Sequence, residues 1–265
     1  DDSTVTNLNV LVDRGYHIFG PAEGEQACGD VGPGRMLEPA QLVELSASLF
    51  ETGELAGKSF VITGGPTREA IDPVRFISNH SSGKMAYALA AEAVAAGAKV
   101  TLISGPVNLA TPESVKRIDV ISAAEMLVAT HEAMADCDVF IGVAAVADYR
   151  PVEIAAQKIK KSDEQMQLTL VKNPDIISEV AQLEEKPFVV GFAAETNDIV
   201  SNGKDKLKRK GLDMLFANNA TETFNSDSIA VTALTETCET ELKAGNKNVV
   251  ARNMLQLIAT ALNER

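Results

Sequence analysis

From residue 58 onward, short apolar runs of strand length alternate with segments of helix length, and this rhythm restricts the chain to few folds. Ser59–Thr63 (SFVIT) stops at Gly64-Gly65, and Lys84–Ala96 follows as an alanine-rich helix with Gly97 at its C-terminal end. Lys99–Ile103, Val139–Val143, Phe188–Val190 and Met214–Ala217 read as further strands. Between them lie a helix over Ala123–Ala135, opened by the capping box Ser122/Glu125, a short helix over Asp175–Gln182, and a helix over Lys204–Lys210 stopped by Gly211. SIAVTAL and TELKAG form an antiparallel hairpin, and Asn248–Leu262 a last helix. The strands are continuous apolar runs, as a parallel sheet covered on both faces requires. The expected fold is therefore α/β, a Rossmann-like three-layer sandwich with a mainly parallel sheet and a small antiparallel edge extension. Residues 1–50 stand apart: a helix (VTNLNVLVDRG), a strand (HIFG), an irregular glycine-rich loop (AEGEQACGDVGPGRM) and a second helix (LEPAQLVELSASLF). We place the boundary at 1–54 and 55–265.

In such a sheet ligands bind outside the carboxyl ends of the strands, so chemistry is expected in loops 64–83, 144–161, 171–175 and 192–203. Two glycines after the first strand let backbone amides approach a phosphate, and Ser81-Ser82-Gly83-Lys84 reads either as a phosphate-cradling turn or as a serine-capped one. The pattern is neither GxGxxG nor GxxxxGK[ST], and the second strand ends in Ser104-Gly105 where a dinucleotide ribose would want an acid. Asp148, the one acid of GVAAVADYRP, suits a ribose hydroxyl, a metal or a turn; Phe192, read as lying just past a strand end, suits a flat base or the core.

The net charge of −13 opposes a nucleic-acid partner. Positive charge is nevertheless concentrated: KIKK at 158–161 carries +3 and KDKLKRK at 204–210 a net +4. Two such runs in an acidic chain are either solvated faces or local capture of a small polyanion. No stretch approaches about 18 consecutive apolar residues, so no membrane span is expected. The N-terminus lacks signal-peptide regions, and the dispersed Cys28, Cys137 and Cys238 form no disulfide or metal framework, which points to the cytoplasm.

GGPTREAIDPVRFISNHSSGKM, AAVADYRP, KIKK, VKNPDII, GFAAET and KLKRKGLDMLFANN, in this order, resemble the signature segments of phosphopantothenate–cysteine ligase. That ligase forms the C-terminal half of a bacterial bifunctional flavoprotein of coenzyme A biosynthesis. ACGDVGPGRM at 27–36 resembles the end of its other half, phosphopantothenoylcysteine decarboxylase, and Cys28 matches the catalytic cysteine there. The resemblance implies a chain holding the end of the decarboxylase and the whole ligase, with FMN binding and decarboxylation not expected. It implies CTP, 4′-phosphopantothenate and L-cysteine as substrates, Mg²⁺ with the CTP, and an acyl-cytidylate intermediate. Lys158 matches the lysine at the α-phosphate, and Lys206 and Lys210 the triphosphate contacts. Gly142, Val143, Ala144, Pro174, Asp175, Ile176, Ile177 and Phe192 would frame the cytidine, with Asp148 on its ribose or base. Asn79 matches the asparagine that holds the acyl cytidylate, and Arg75 and Ala145 contacts of the pantothenate carboxyl region. Metal ligands remain unassigned. A homodimer through the ligase half, and a higher oligomer with a full decarboxylase half, are also implied. Rival readings are an ATP-using ligase of the eukaryotic type, an NAD(P)-dependent oxidoreductase and a non-catalytic assembly module.

Overall fold

Alternate residues of each strand run are buried on opposite faces of one sheet, which is why the runs read as unbroken. Phe60, Ile62, Leu102, Ile141 and Val190 belong to one core, and Val61, Ile103, Phe140, Val189 and Leu215 to another. In the computed structural model, residues 2–25, 31–49, 53–160, 166–195, 198–219 and 228–264 are described. The chain divides into two compact units, Asp1–Glu51 and Thr52–Arg265.

The first unit holds helix α1 (Asp2–Asp13), an antiparallel hairpin of β1 (Ala22–Glu25) and β2 (Val31–Arg35), and helix α2 (Pro39–Ser48). Two expectations fail here. His17–Gly20 is not a strand, because a short apolar run becomes one only where a ladder receives it, and Pro21 beyond it has no N–H to offer. The ladder is built instead from the stretch expected to be irregular. Cys28 lies outside the described residues.

The second unit starts with β3 (Ser59–Gly64), a small hairpin of β4 (Arg68–Ala70) and β5 (Phe76–Ser78), and helix α3 (Lys84–Ala95). Then come β6 (Lys99–Ser104), β7 (Val115–Asp119), α4 (Ala123–Glu132) and β8 (Val139–Gly142). A second small hairpin pairs β9 (Tyr149–Pro151) with β10 (Leu170–Lys172). The chain closes with α5 (Ile176–Ala181), β11 (Phe188–Glu195), α6 (Ile199–Lys210), β12 (Met214–Asn219), β13 (Ser228–Leu234), β14 (Glu239–Asn246) and α7 (Lys247–Asn263). The main sheet has the order β7–β6–β3–β8–β11–β12–β13–β14. Its first six strands are parallel and the last two antiparallel. Helices α3 and α7 contribute to the first core, and α4, α5 and α6 to the second, so the three-layer expectation holds. Among the described residues no helix is long and apolar enough to cross a membrane.

Local chemistry explains the element ends. Ser122 Oγ accepts the Glu125 N–H at 3.2 Å while Glu125 Oε2 reaches back to the Ile121 N–H at 2.8 Å, and buried Glu69 accepts the Ala123 N–H at 3.0 Å. Asp138 Oδ2 accepts the Ser59 N–H and Asp213 Oδ2 the Val189 N–H, tying the starting ends of adjacent strands. Strand β11 runs to Glu195, so Phe192 sits inside a strand rather than past its end.

The chain leaves β3 in one direction toward β6 and returns through α4 to β8 on the other side of β3. This reversal places a crevice outside the carboxyl ends of the strands, beside the loops that follow β3 and β8. Close backbone packing holds the loops around it. The Gly105 N–H donates to the Gly64 carbonyl at 2.9 Å, and a Cβ on Gly105 would stand 1.8 Å from the Pro66 carbonyl oxygen. Gly105→Ala should therefore cost about 3 kcal/mol of stability in urea unfolding, because a backbone atom must move. Gly211→Ala, at φ 67° with its nearest atom 4.0 Å away, should cost only about 1–2 kcal/mol. Equal losses would show that the crevice loops shift apart freely.

Candidate active site

The loops after β3 and β8 continue to pair beyond the sheet. Val143 N–H donates to Thr63 O at 3.2 Å, Ala145 N–H to Gly65 O at 2.9 Å, and Thr67 N–H back to Ala145 O at 3.4 Å. Buried Thr67 accepts the Ala147 N–H on its hydroxyl at 3.0 Å. The carbonyls along this loop are taken in turn: Asn79 Nδ2 donates to Val146 O at 3.0 Å, and Asn173 Nδ2 to Ala147 O at 2.8 Å. Asn173 N–H also donates to Asp148 O at 2.8 Å, and Arg150 Nη1 holds both Lys172 O and Asn173 Oδ1. Residues 143–148 thus form a wall braced from three sides.

A cavity of about 340 Å³ lies between this wall and helices α5 and α6. Its lining includes Gly142, Ala144, Ala145, Asp148, Pro174, Asp175, Ile176, Ile177, Phe192, Lys206 and Lys210, all singled out from sequence. Gly142 and Gly191 are partners on adjacent strands, and a Cβ on either would meet Ile177 Cδ1 at 3.0 or 3.2 Å; the bare backbone keeps the floor flat. Phe192 is half-buried, its ring tilted 49° against Phe216 at 5.5 Å between centroids. Lys206 Nζ donates to the Phe192 carbonyl at 3.2 Å, and Lys210 pairs with Asp175 at 2.8 Å. Two cations from one helix face therefore stand at one end of a flat-floored slot.

A second cavity, of about 670 Å³, shares Gly142, Ala144, Ala145 and Phe192 with the first. It is lined further by Val143, by the Ser81-Ser82-Gly83-Lys84 turn into α3, and by His80, Asn218 and Lys247. Gly83 takes φ 73° as the N-cap of α3, and no side chain caps that helix; Ser81 Oγ instead accepts the Gly83 N–H at 3.3 Å, closing the turn at the cavity's edge. Lys247 carried no sequence signal, because α7 brings it in from more than 160 residues downstream.

Three expected site residues line neither cavity: Arg75, Asn79 and Lys158. Asn79 braces the shared wall from its outer side. Lys158 is exposed. Arg75 Nε and Nη2 are engaged by Asp72 Oδ2 at 3.0 and 2.6 Å, and Nη2 also by Ile159 O at 3.0 Å. Asp72 is wholly buried in its side chain, and Arg75 holds its carboxyl well below the usual carboxylate range, with amides of Val74, Ile159 and Arg75 assisting against burial. Sequence reading passed over Asp72, because one acid in a polar loop gives no sign of being buried.

Residues 55–262 match the family described as DNA/pantothenate metabolism flavoprotein C-terminal domain. The chain is 53% identical over 266 residues to the coenzyme A biosynthesis bifunctional protein CoaBC of Vibrio vulnificus, an alignment covering 98% of this chain and 66% of that protein. The protein of the same name from Escherichia coli K12 is 46% identical over 271 residues, covering 99% of this chain and 67% of that one. A crystal structure of the C-terminal domain of coenzyme A biosynthesis bifunctional protein CoaBC superposes with a TM-score of 0.70 at 38% identity, over 80% of this chain and 100% of that chain. The chain thus spans about two thirds of the length of the curated relatives it matches.

The Asp175–Lys210 pair makes the slot's cationic end testable on its own. Burial pushes the Asp175 carboxyl up, but Lys210 and the Ser178 N–H outweigh it and leave the group below its ordinary 3.8. A carboxylate depressed by folding stabilises the fold above its unfolded value and loses that contribution as pH falls through the folded one. The tie between the 173–177 turn and α6 should thus persist through neutral pH and open only in solution more acidic than pH 3.8. Carboxyl NMR should show Asp175 titrating below 3.8, and moving up in Lys210→Met; an unmoved titration would mean the pair does not form in solution.

Proposed function

We propose, since the chain belongs to the family of DNA/pantothenate metabolism flavoprotein C-terminal domains, that it joins L-cysteine to 4′-phosphopantothenate using CTP. The observation that carries this reading is the pair of cavities divided by one thin wall at Gly142–Ala145, with lysines at an end of each. A ligase that activates an acid on a nucleotide needs two reactants held apart and meeting at one point. The smaller, flat-floored slot suits a nucleotide: Gly142, Ala144, Pro174 to Ile177 and Phe192 around the base, Asp148 on the ribose or base, Lys206 and Lys210 on the triphosphate. Val143 lines only the larger cavity and Ala145 lines both; in the larger one the Ser81–Lys84 turn and Lys247 suit the phosphate of phosphopantothenate.

The chemistry follows from a poor electrophile. A phosphopantothenate carboxylate oxygen attacks the α-phosphorus, the bond to pyrophosphate breaks, and an acyl cytidylate forms. The cysteine nitrogen then attacks the acyl carbon, the bond to CMP breaks, and the amine proton leaves to solvent. An anion must approach a polyanion in the first step, so fixed cations matter more there than anywhere else. Lys158 is assigned to the α-phosphate and Asn79 to the acyl cytidylate, where an amide offers donor and acceptor without charge. Mg²⁺ would arrive with CTP, neutralising triphosphate charge and easing departure of pyrophosphate. Among the described residues no three His, Cys, Asp or Glu side chains converge. The lining offers Asp148 and Asp175, so phosphate oxygens and water would make up most of the ion's shell. The family resemblance also implies homodimers, for which Val74, Phe76, Val152, Ile154, Leu170 and Val171, exposed on and beside the two small hairpins, offer an apolar surface.

Pyrophosphate release that requires phosphopantothenate and prefers CTP to ATP, followed by CMP and product once cysteine is added, is the expected result. Preference for ATP, or release independent of the acid, would overturn the reading. Lys158→Gln should slow the first step by about a hundredfold, the equivalent of about 3 kcal/mol. Asn79→Asp should release pyrophosphate yet accumulate the acyl cytidylate, because a new negative charge beside the anhydride hinders the second reactant. Normal turnover in that variant would remove Asn79 from the site.

A further inference from the structure

Asp72 is more buried than any other carboxylate among the described residues, and it lines neither cavity. Its two oxygens do separate jobs. Oδ1 accepts the Val74 and Arg75 N–H groups, both at 2.8 Å, and closes the turn between β4 and β5. Oδ2 accepts Arg75 Nε and Nη2 and, across 87 residues of sequence, the Ile159 N–H at 3.1 Å. Arg75 Nη2 in turn donates to the Ile159 carbonyl at 3.0 Å, and the Ala155 N–H donates to Ile71 O at 3.0 Å. A turn alone needs one neutral oxygen, so a buried ion pair is a costly way to make one. What the pair adds is a grip on both the N–H and the C=O of a single residue. Peptide planarity then fixes the two planes flanking Ile159, and with them the Cα atoms of Lys158 and Lys160.

We propose that Asp72 and Arg75 are positioning residues that fix the root of Lys158 for attack at the α-phosphorus, an inference that rests on the reading of Lys158 given above. A lysine side chain is long and mobile, so a floating root would spread its ammonium over many positions. The tether removes that freedom before the substrate arrives, and its effect belongs in the rate of the first step rather than in nucleotide affinity. Asp72→Asn separates the two jobs: the amide oxygen keeps the turn, while the amide NH₂ faces Ile159 N–H and Arg75 as one donor against others.

The test is pyrophosphate release by the full chain with CTP, Mg²⁺ and phosphopantothenate. Asp72→Asn should lower kcat between about tenfold and a hundredfold while KM for CTP stays within about threefold. Combined with Lys158→Gln, it should add no further loss, since both changes act through one ammonium group. Arg75→Lys, which keeps a cation for Asp72 but loses the fork that also holds Ile159 O, should behave alike and carries the same test should Asp72→Asn fail to fold. A slow Lys158→Gln beside a normal Asp72→Asn, or losses that multiply in the double variant, would overturn the tether and leave the ligase reading standing. A normal Lys158→Gln would overturn the tether together with the role assigned to Lys158.

Discussion

Everything at the site depends on backbone pairing that outlasts the sheet. Where β3 and β8 end, their loops run on side by side through Val143 N–H to Thr63 O, Ala145 N–H to Gly65 O and Thr67 N–H to Ala145 O. Loops at strand ends usually splay apart, and their amides turn to water. Here they are used up in a ladder, and the Gly105 backbone packs against Pro66 so closely that no side chain fits between. The result is a strip of small residues, Gly142, Ala144 and Ala145, that lines both cavities. A wall made of side chains would be thicker and softer, and the two cavities would lose their common boundary.

Charge is organised on the same principle, with cations committed before any ligand arrives. The chain carries −13 overall, yet Lys206, Lys210, Lys84 and Lys247 gather at the cavities. Lys210 is held by Asp175 and Lys206 by the Phe192 carbonyl, so their ammonium groups sit in defined places. A surrounding negative field keeps diffuse polyanions away from the surface at large, while fixed cations in a concave site favour one small anion there. Preorganised charge costs little reorganisation at the moment of reaction, which is where electrostatic catalysis gains most.

The parallel core was legible because burial on both faces leaves an unmistakable apolar run: SFVIT, VFIGV and MLFA each lie in a strand near the expected bounds. The hairpins β4–β5 and β9–β10 were not, since three-residue strands are too short to carry a periodicity. Strand β7 (VKRID) was missed because an edge strand tolerates the charges that argue against it. Residues next to strand ends and the basic run on α6 drew attention in the sequence, whereas Lys247 in the larger cavity and Asp72 outside both did not. A side chain's burial is a property of the folded surroundings, and no local pattern around Asp72 encodes the loop that comes to cover it.

The smallness of residues 142–145 (Gly-Val-Ala-Ala) fits this division of labour. In the proposed reaction a carboxylate in one cavity and an α-phosphorus in the other would have to approach to within bonding distance, and every methylene in the wall would add to the gap between them. Among the described residues Phe192 is the one large side chain that touches both cavities, and it stands inside a strand, packed against Phe216. The sheet thus supplies rigidity from below and the paired loops supply thinness above. The proposed reaction also calls on Lys158, which comes from a segment with no sheet to hold it. The buried Asp72–Arg75 pair provides there, by one charged clamp on one residue, the fixity that hydrogen-bonded strands provide everywhere else at the site.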